Sequence, residues 1–503
     1  MQKFIKIVLF LLSLLFIFNC SRKEPEIPDF EENILVKIGD KDISVQEFIR
    51  RAEYTPRPNY CRLNFPIHKK IVLNSLVAEK LLALEAGSNP EILEDESISS
   101  FLQGKKEQAM RKILKYEVGH DQVKQIVTTK VLKMARYLDN TYKVKYVNIP
   151  DKKALKNIEK KLKKNRSLEK VIKDIYEVDS LQTRNIKWHE YENDAIMSSL
   201  YTKTYDKDDI VGPIKWGNDN YLYMQILEGE ERVINSDQRL RQNYSRTNEY
   251  LTRNKASQYY TNYVRDLMMN KSIEFVEETF YKVVDKLGPI YFKTDRSRRE
   301  RLKNTLWGVG NVELQVDSSL SKMDNLKNKP FFTIDGNVWT VGDFTEYRRK
   351  HPLVFRNKRM QPEEFAENFK QAVIDMVTNY YLTEEAHEKN YDKVDIVQRN
   401  NNMWKDNIKS YYQLHKFISK NGLDSLYNAD QMKTIKEYLN PYIDSLQKKY
   451  SEQIYFNKEA FESIELNRKP MAVYEPNVPW PGVVPKFPAL TTEHSLDYGQ
   501  LME

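Results

Sequence analysis

The chain has 503 residues, 80 of them basic and 72 acidic, with 40% apolar and 12% aromatic side chains. Charge balanced this evenly over this length offers no basic face for nucleic acid. Two cysteines and seven scattered histidines give neither a disulfide framework nor metal-ligand spacing, so no cofactor or metal is expected.

In chain order, residues 1–19 have the layout of a secretory signal: Lys3 and Lys6 precede an apolar run from Ile7 to Phe18. That run is shorter than the roughly 20 apolar residues that a membrane helix needs, and no later run approaches the length. It ends at Asn19-Cys20 and gives way to the polar Ser21-Arg22-Lys23-Glu24-Pro25-Glu26. Ile17-Phe18-Asn19-Cys20 resembles a bacterial lipobox, although Asn19 stands where Gly, Ala or Ser is usual. The resemblance implies cleavage before Cys20, lipid on that cysteine and a tether over 20–33. Removing the signal's two lysines leaves 78 basic against 72 acidic residues, and a lipidated Cys20 leaves Cys61 without a disulfide partner.

An internal repeat organises the chain beyond the tether. Ile38 to Phe48 (IGDKDISVQEF) matches Ile334 to Phe344 (IDGNVWTVGDF), each a strand, a polar turn and a helix start. Ser44 and Thr340 are N-cap candidates, with Glu47 and Asp343 three residues on, the capping-box spacing. At an offset of 300, Leu73, Leu76, Val77, Leu82 and Ala86 correspond to Val373, Met376, Val377, Leu382 and Ala386, one apolar helical stripe copied. Further amphipathic stretches run over Ser97 to Val118, Gln122 to Leu138 and Ile396 to Ile418. A third match, Tyr259 to Val284 with Tyr438 to Ile464, closes each copy with a helix, a short strand and a short helix.

The first copy carries about 100 extra residues, read as a strand (Val144 to Ile149), two helices (Lys152 to Lys164, Leu168 to Tyr176), a loop and two strands near Ile210 to Trp216 and Asn220 to Gly229. With IGDKDISVQEF, LNSLVAEKLLALEAG, Asp209-Ile210-Val211-Gly212-Pro213-Ile214 and the closing Tyr259 to Phe275, this order resembles the SurA, PrsA and PpiD group of exported foldases. In that group a parvulin-type prolyl isomerase is inserted before the last helix of a helical chaperone domain. The resemblance implies a mainly helical α+β fold: two SurA-N-like helical domains, the first with a parvulin-like insert, then an extended Pro-rich tail. Its implied boundaries are 34–140 with 234–285, an insert at 141–233, a linker at 286–329, a second helical domain at 330–466 and the tail at 467–503.

The departures from the family bear on chemistry. Its two facing histidines fall on Tyr146 and about Leu222, and of the glycine-rich turn before its tryptophan only Trp188 survives. A prolyl bond turns over a barrier of roughly 20 kcal/mol, and without the histidines the pocket loses its polar centre. The reading is therefore a degenerate pocket (Tyr146, Trp188, Leu222) kept for peptide binding, without catalytic residues; His189 is read as a surface residue. In the tail, six prolines exclude a helix, and Tyr474, Trp480 and Phe487 are partner-docking candidates that either wrap the chain's own body or meet another protein.

The resemblance implies a membrane-anchored, periplasmic chaperone or foldase-like lipoprotein. Its implied partners are unfolded or nascent exported polypeptides and an outer-membrane barrel assembly or secretion complex. The alternative is a structural subunit of such a complex. The expected location is the outer membrane facing the periplasm, with surface exposure left open.

Overall fold

A computed structural model describes residues 34–305 and 321–502, apart from 124–127, 163–166, 177–179, 189–193, 216–219, 233, 235, 358 and 468. Residues 1–33, with Cys20 and the signal, lie outside the described residues, as does His189. The fold is mainly helical α+β, and it divides into a body (up to Lys112 and from Asn270) and an inserted unit, Ile113–Met269. No helix among the described residues is long and apolar enough to cross a membrane.

The body opens with β1 (Ile34–Ile38) and β2 (Lys41–Ser44), followed by α1 (Val45–Glu53), α2 (Pro66–Glu85) and α3 (Glu96–Lys115). The inserted unit holds α4 (Thr128–Tyr137), β3 (Thr141–Ile149), α5 (Lys152–Leu162), α6 (Leu168–Tyr176), β4 (Gln182–Lys187), α7 (Asp194–Leu200), β5 (Ile210–Lys215), β6 (Tyr221–Glu230) and α8 (Asp237–Leu267). The body resumes with β7 (Ile273–Phe275), α9 (Glu277–Thr305), β8 (Pro330–Ile334), β9 (Asn337–Thr340), α10 (Val341–Lys350), α11 (Phe365–Glu388) and α12 (Asp395–Lys420). Then come α13 (Asp424–Ala429), α14 (Gln431–Thr434), α15 (Asn440–Lys449), β10 (Ile454–Phe456), α16 (Lys458–Ser463) and, in the tail, β11 (Gln500–Leu501).

The two repeat copies exchange their later parts. The first sheet has the order β11-β10-β1-β2, so the second copy's closing strand pairs with the first copy's opening strand, Val36 opposite Phe456 and Ile38 opposite Ile454. The other sheet, β7-β8-β9, does the converse, with Ile273 opposite Ile334 and Phe275 opposite Phe332. The cores agree with this strand exchange. Leu414, Ile418, Ile443 and Phe461 join Phe48, Leu73 and Leu76, while Phe280, Val283 and Leu287 join Phe332, Phe344 and Phe369. This corrects the grouping of 34–140 with 234–285. The closing strand goes to the other copy, and α8 belongs to the inserted unit, where Leu251 packs with Val131 and Met134 of α4. Of the expected linker at 286–329, residues 306–320 lie outside the described residues, while 286–305 and 321–329 belong to the body. Helix α9 runs through Gly288-Pro289 because Leu287, Tyr291 and Phe292 pack into the core, and Met323 and Leu326 are buried there too.

The helix starts agree with their sequence signals, with one instructive difference. Thr340 forms a full capping box: its Oγ1 accepts from the Asp343 amide, and Asp343 Oδ2 accepts from the Thr340 amide. Ser44 accepts from the Glu47 amide at 3.0 Å, but Glu47 turns inward to Lys80 at 3.3 Å. It joins a buried network in which Arg51 donates twice to Glu79 (2.7 and 2.8 Å), Lys80 and Lys41 reach Asp406 (3.2 and 2.6 Å), and Asn407 donates to Glu79. Helices α1 and α2 of the first copy are thereby tied to α12 of the second.

The converse tie runs from α3 to the second copy. His351, the residue after α10, meets Glu107 at 2.5 Å, and Arg111 donates to Thr383. Burial pulls His351 below its ordinary pKa against the opposing Glu107 hydrogen bond. Glu107 is held low as well: burial opposes this, and the hydrogen bond and charge of His351 outweigh it. Both groups have folded pKa values below their unfolded ones, so each contribution is present above the unfolded pKa and lost on acidification. Body stability therefore declines as pH falls below about 6.5, the unfolded histidine value, and again below about 4.3, the glutamate value. Thermal unfolding between pH 8 and 5 checks this, and His351→Gln is expected to flatten the upper part of the slope.

Gly104 lets α3 approach the end of α10: a Cβ there would lie 1.9 Å from the Lys350 carbonyl oxygen and 2.5 Å from Trp480 Nε1. Gly104→Ala is expected to cost about 1–3 kcal/mol by forcing these elements apart, read as a lowered urea midpoint. Cys61 is buried, and burial pushes its thiol up to about 12, which leaves it unreactive at neutral pH.

Candidate functional site

The inserted unit is a four-stranded antiparallel sheet, β4-β3-β6-β5. Strand β6 alternates strictly. Tyr221 and Tyr223 meet α5 and α6 on one face, while Leu222, Met224 and Ile226 meet α4, α7 and α8 on the other. Strand β4 stands where a degenerate turn is expected. Only Ile186 of its six residues is buried, so an edge strand of this kind carries almost no periodic signal. Helix α7 lies in the expected loop, where Ile196, Met197 and Leu200 supply one short apolar stripe. Strand β5 is the other edge, with a register shift between Val211 and Ile214 where Pro213, lacking an amide hydrogen, is tolerated.

Tyr146, Trp188 and Leu222 all border the second face, but they do not form a polar pocket. Tyr146 sits opposite Met224, donates from Oη to Gln182 Oε1 at 2.6 Å, and carries the Arg184 guanidinium 5.6 Å from its ring centre. Leu222 is 5% exposed among hydrocarbon neighbours. Trp188 is wedged edge-on against Tyr201 (5.3 Å) and Tyr250 (4.7 Å), and Tyr250 donates to Asp194 at 2.6 Å. Trp188 therefore pins β4 to α7 and α8. Trp188→Ala is expected to cost this unit about 3 kcal/mol, measured by its own unfolding transition. Among the unit's described residues the histidine is His120, stacked on Tyr116 in the turn after α3. This face is covered by the unit's own helices, so Leu222 and Met224 are core residues.

The tail is the better built site, and it is occupied by the chain itself. Asn467 bonds both oxygens of Glu53, and the amides of Met471 and Val473 donate to the carbonyls of Glu53 and Tyr54. The Trp480 amide donates to Gln108 Oε1, its indole Nε1 donates to the Lys350 carbonyl at 2.7 Å, and its ring packs on Phe101 at 4.9 Å. Lys105 donates to the carbonyls of Trp480 and Gly482 and lies 4.4 Å over Trp404. Burial pulls its ammonium down to about 7. Phe487 and Leu490 enter the core of the first sheet. Asn440 holds Thr491 and Thr492, Asn74 donates to the carbonyls of Glu493 and Ser495, and β11 adds in parallel to β10.

Of the three tail candidates, Trp480 and Phe487 thus anchor the tail on its own body, whereas Tyr474 is 63% exposed. The clamps Asn74, Lys105, Gln108 and Asn440 belong to no sequence motif. Their one signal is a polar side chain on an otherwise apolar helical stripe, where it must find a partner.

No family model matches the chain, and no curated protein matches it. Among solved structures it is similar to foldase protein PrsA from Streptococcus pneumoniae, 12% identical, over 44% of this chain and 87% of that one, with a TM-score of 0.20. It is also similar to peptidylprolyl isomerase PrsA from Bacillus cereus, 14% identical, over 48% of this chain and 92% of that one, with a TM-score of 0.18.

Proposed function

We propose that this protein is a lipid-anchored, periplasmic foldase-like lipoprotein that binds unfolded exported polypeptides without isomerising their prolyl bonds. The observation that carries the reading is the set of exposed apolar side chains on the body, Phe65, Ile67, Val276, Tyr281 and Val338, together with an inserted sheet in which Leu222 and Met224 are buried and Tyr146 is engaged by Gln182. Such side chains attract apolar chain segments, and the described residues of the inserted sheet offer no paired proton-carrying groups. Anchoring through Cys20 places this surface at a membrane, facing the periplasm from the outer membrane, and raises the local concentration of clients and of any assembly machine there.

A second reading, a structural subunit of an outer-membrane assembly or secretion complex, draws on the tail, which is built into the body's own core. Purification from membranes in mild detergent separates the two. A heterogeneous set of unfolded exported polypeptides supports the foldase-like reading, and a stoichiometric barrel partner supports the structural one. Recovery of the protein alone contradicts both.

A further inference from the structure

The exchanged repeats give the body two equivalent strand edges, and only one of them is covered among the described residues. In the first sheet β11 lies outside β10, and the Met502 amide donates to the Phe456 carbonyl at 2.9 Å. In the second sheet β7 is the edge strand among the described residues. The two edges correspond residue for residue, Ile273-Glu274-Phe275 with Ile454-Tyr455-Phe456. Their inner bonding also corresponds: the Val276 amide donates to the Phe331 carbonyl as the Asn457 amide donates to that of Leu35. The Phe275 carbonyl consequently faces outward, as that of Phe456 does.

The helix behind each edge differs in the same sense. Asn74, Ala78 and Leu81 of α2 are all buried, with the tail across Asn74. Their counterparts 300 residues on, Ile374, Thr378 and Tyr381 of α11, are each only half-buried and lie at helical spacing on one face. Tyr381 reaches Asp335, which also meets Lys271 just ahead of β7, so this stripe leads to the open edge. Ile454 is fully buried and Ile273 is half-buried.

We infer that the outer edge of β7 and the Ile374-Thr378-Tyr381 stripe form a seat for an extended polypeptide supplied in trans, which adds as a fourth strand parallel to β7. The inference rests on the reading that clients are polypeptides, and it names where one strand of a client is held. The tail on the twin edge is the template for the occupant. Gly499 (φ +81°) packs where a Cβ would lie 2.7 Å from the Ile454 carbonyl oxygen. The matching Ile273 carbonyl selects segments with a glycine just ahead of the paired residues. Main-chain bonds supply affinity without demanding one sequence, which suits a binder of many unfolded strands.

The test uses the chain without its signal, carrying a photoreactive phenylalanine in place of Glu274 or, separately, of Tyr455. The probes are a biotinylated peptide copying Ala489 to Met502 and a urea-diluted outer-membrane barrel protein. From position 274 both probes are expected to cross-link in trans; from position 455 the cross-link goes to the chain's own residues 499–502. N-methylation of the peptide's Met502 amide is expected to weaken capture at position 274 at least tenfold, and N-methylation at Leu501 to leave it unchanged. Ile374→Lys should weaken it similarly; the methylated peptide decides the matter if that variant does not fold. No trans cross-link at position 274, insensitivity to N-methylation, or a cross-link only to the chain's own residues 306–320 would overturn the seat. Suppression of client aggregation without a cross-link at position 274 removes the seat and leaves the proposed function. Peptide capture without any aggregation suppression does the opposite.

Discussion

Replacing Glu79 by Leu alone is expected to destabilise the body by about 3–5 kcal/mol, because it strands a guanidinium with no water to receive it. Arg51 and Glu79 are both fully buried, and they meet in a two-pronged pair that also holds Asn407. Burial pulls Arg51 toward its neutral form, and Glu79 more than offsets that pull. Arg51 also donates to the Lys486 carbonyl, so the loss reaches the tail. The double variant Arg51→Met with Glu79→Leu removes both charges and should recover most of the stability, since well-packed apolar replacements of buried pairs are often neutral. Urea unfolding of the single and double variants measures this. Equal loss in both would mean that the network's hydrogen bonds to Asn407 and Lys486, and not the unpaired charge, dominate.

Truncation after Glu475 is expected to leave a body that does not fold stably at 37 °C. The cut removes Trp480, Phe487 and Leu490, and truncating a buried side chain of each kind costs about 2–5 kcal/mol. Three such losses together reach the whole net stability of a typical domain, about 5–15 kcal/mol. The cut also exposes the outer edge of β10 and strands Lys105, whose ammonium is held by the Trp480 and Gly482 carbonyls. The milder Phe487→Ala should lower the urea midpoint by an amount equivalent to about 3–5 kcal/mol. The inserted unit has its own cores, so its transition should persist in both variants. An unchanged midpoint after truncation would mean that the tail covers the body without stabilising it.

The repeat was legible because helix capping and stripe periodicity are local. Ser44 and Thr340 both cap their helices, Thr340 with the full box that its spacing indicates and Ser44 without the return bond from Glu47, and Leu73, Leu76 and Val77 are buried like Val373, Met376 and Val377. The exchange was not legible for the same reason. β10 fits β1 or β8 equally well in pattern, since the two opening strands are copies of one another. What decides is non-local, the ties of Asp406 to Lys41 and Lys80 and of His351 to Glu107, made by charged residues that in sequence look like surface. The insert's five elements β3, α5, α6, β5 and β6 were readable, whereas β4 depends on a single buried residue and took its place only by pairing with β3. At the candidate site, the identities of Tyr146 and Leu222 were readable directly, and the burial of Leu222 follows from the alternation of β6. The role of Trp188 depended on Tyr201 and Tyr250, which no spacing brings beside it. The tail's apolar content marked it as a docking segment, and its destination lay in polar clamps from separate helices and in the edge of β10.

The proposed function stands on whether the chain holds unfolded polypeptides. The direct measurement is light scattering of a urea-diluted outer-membrane barrel protein with and without the purified chain lacking its signal. Suppression of aggregation near a one-to-one ratio, with no acceleration of a proline-limited refolding step, is the predicted result. Undiminished aggregation at several-fold excess, or a refolding step accelerated well above background, would contradict it.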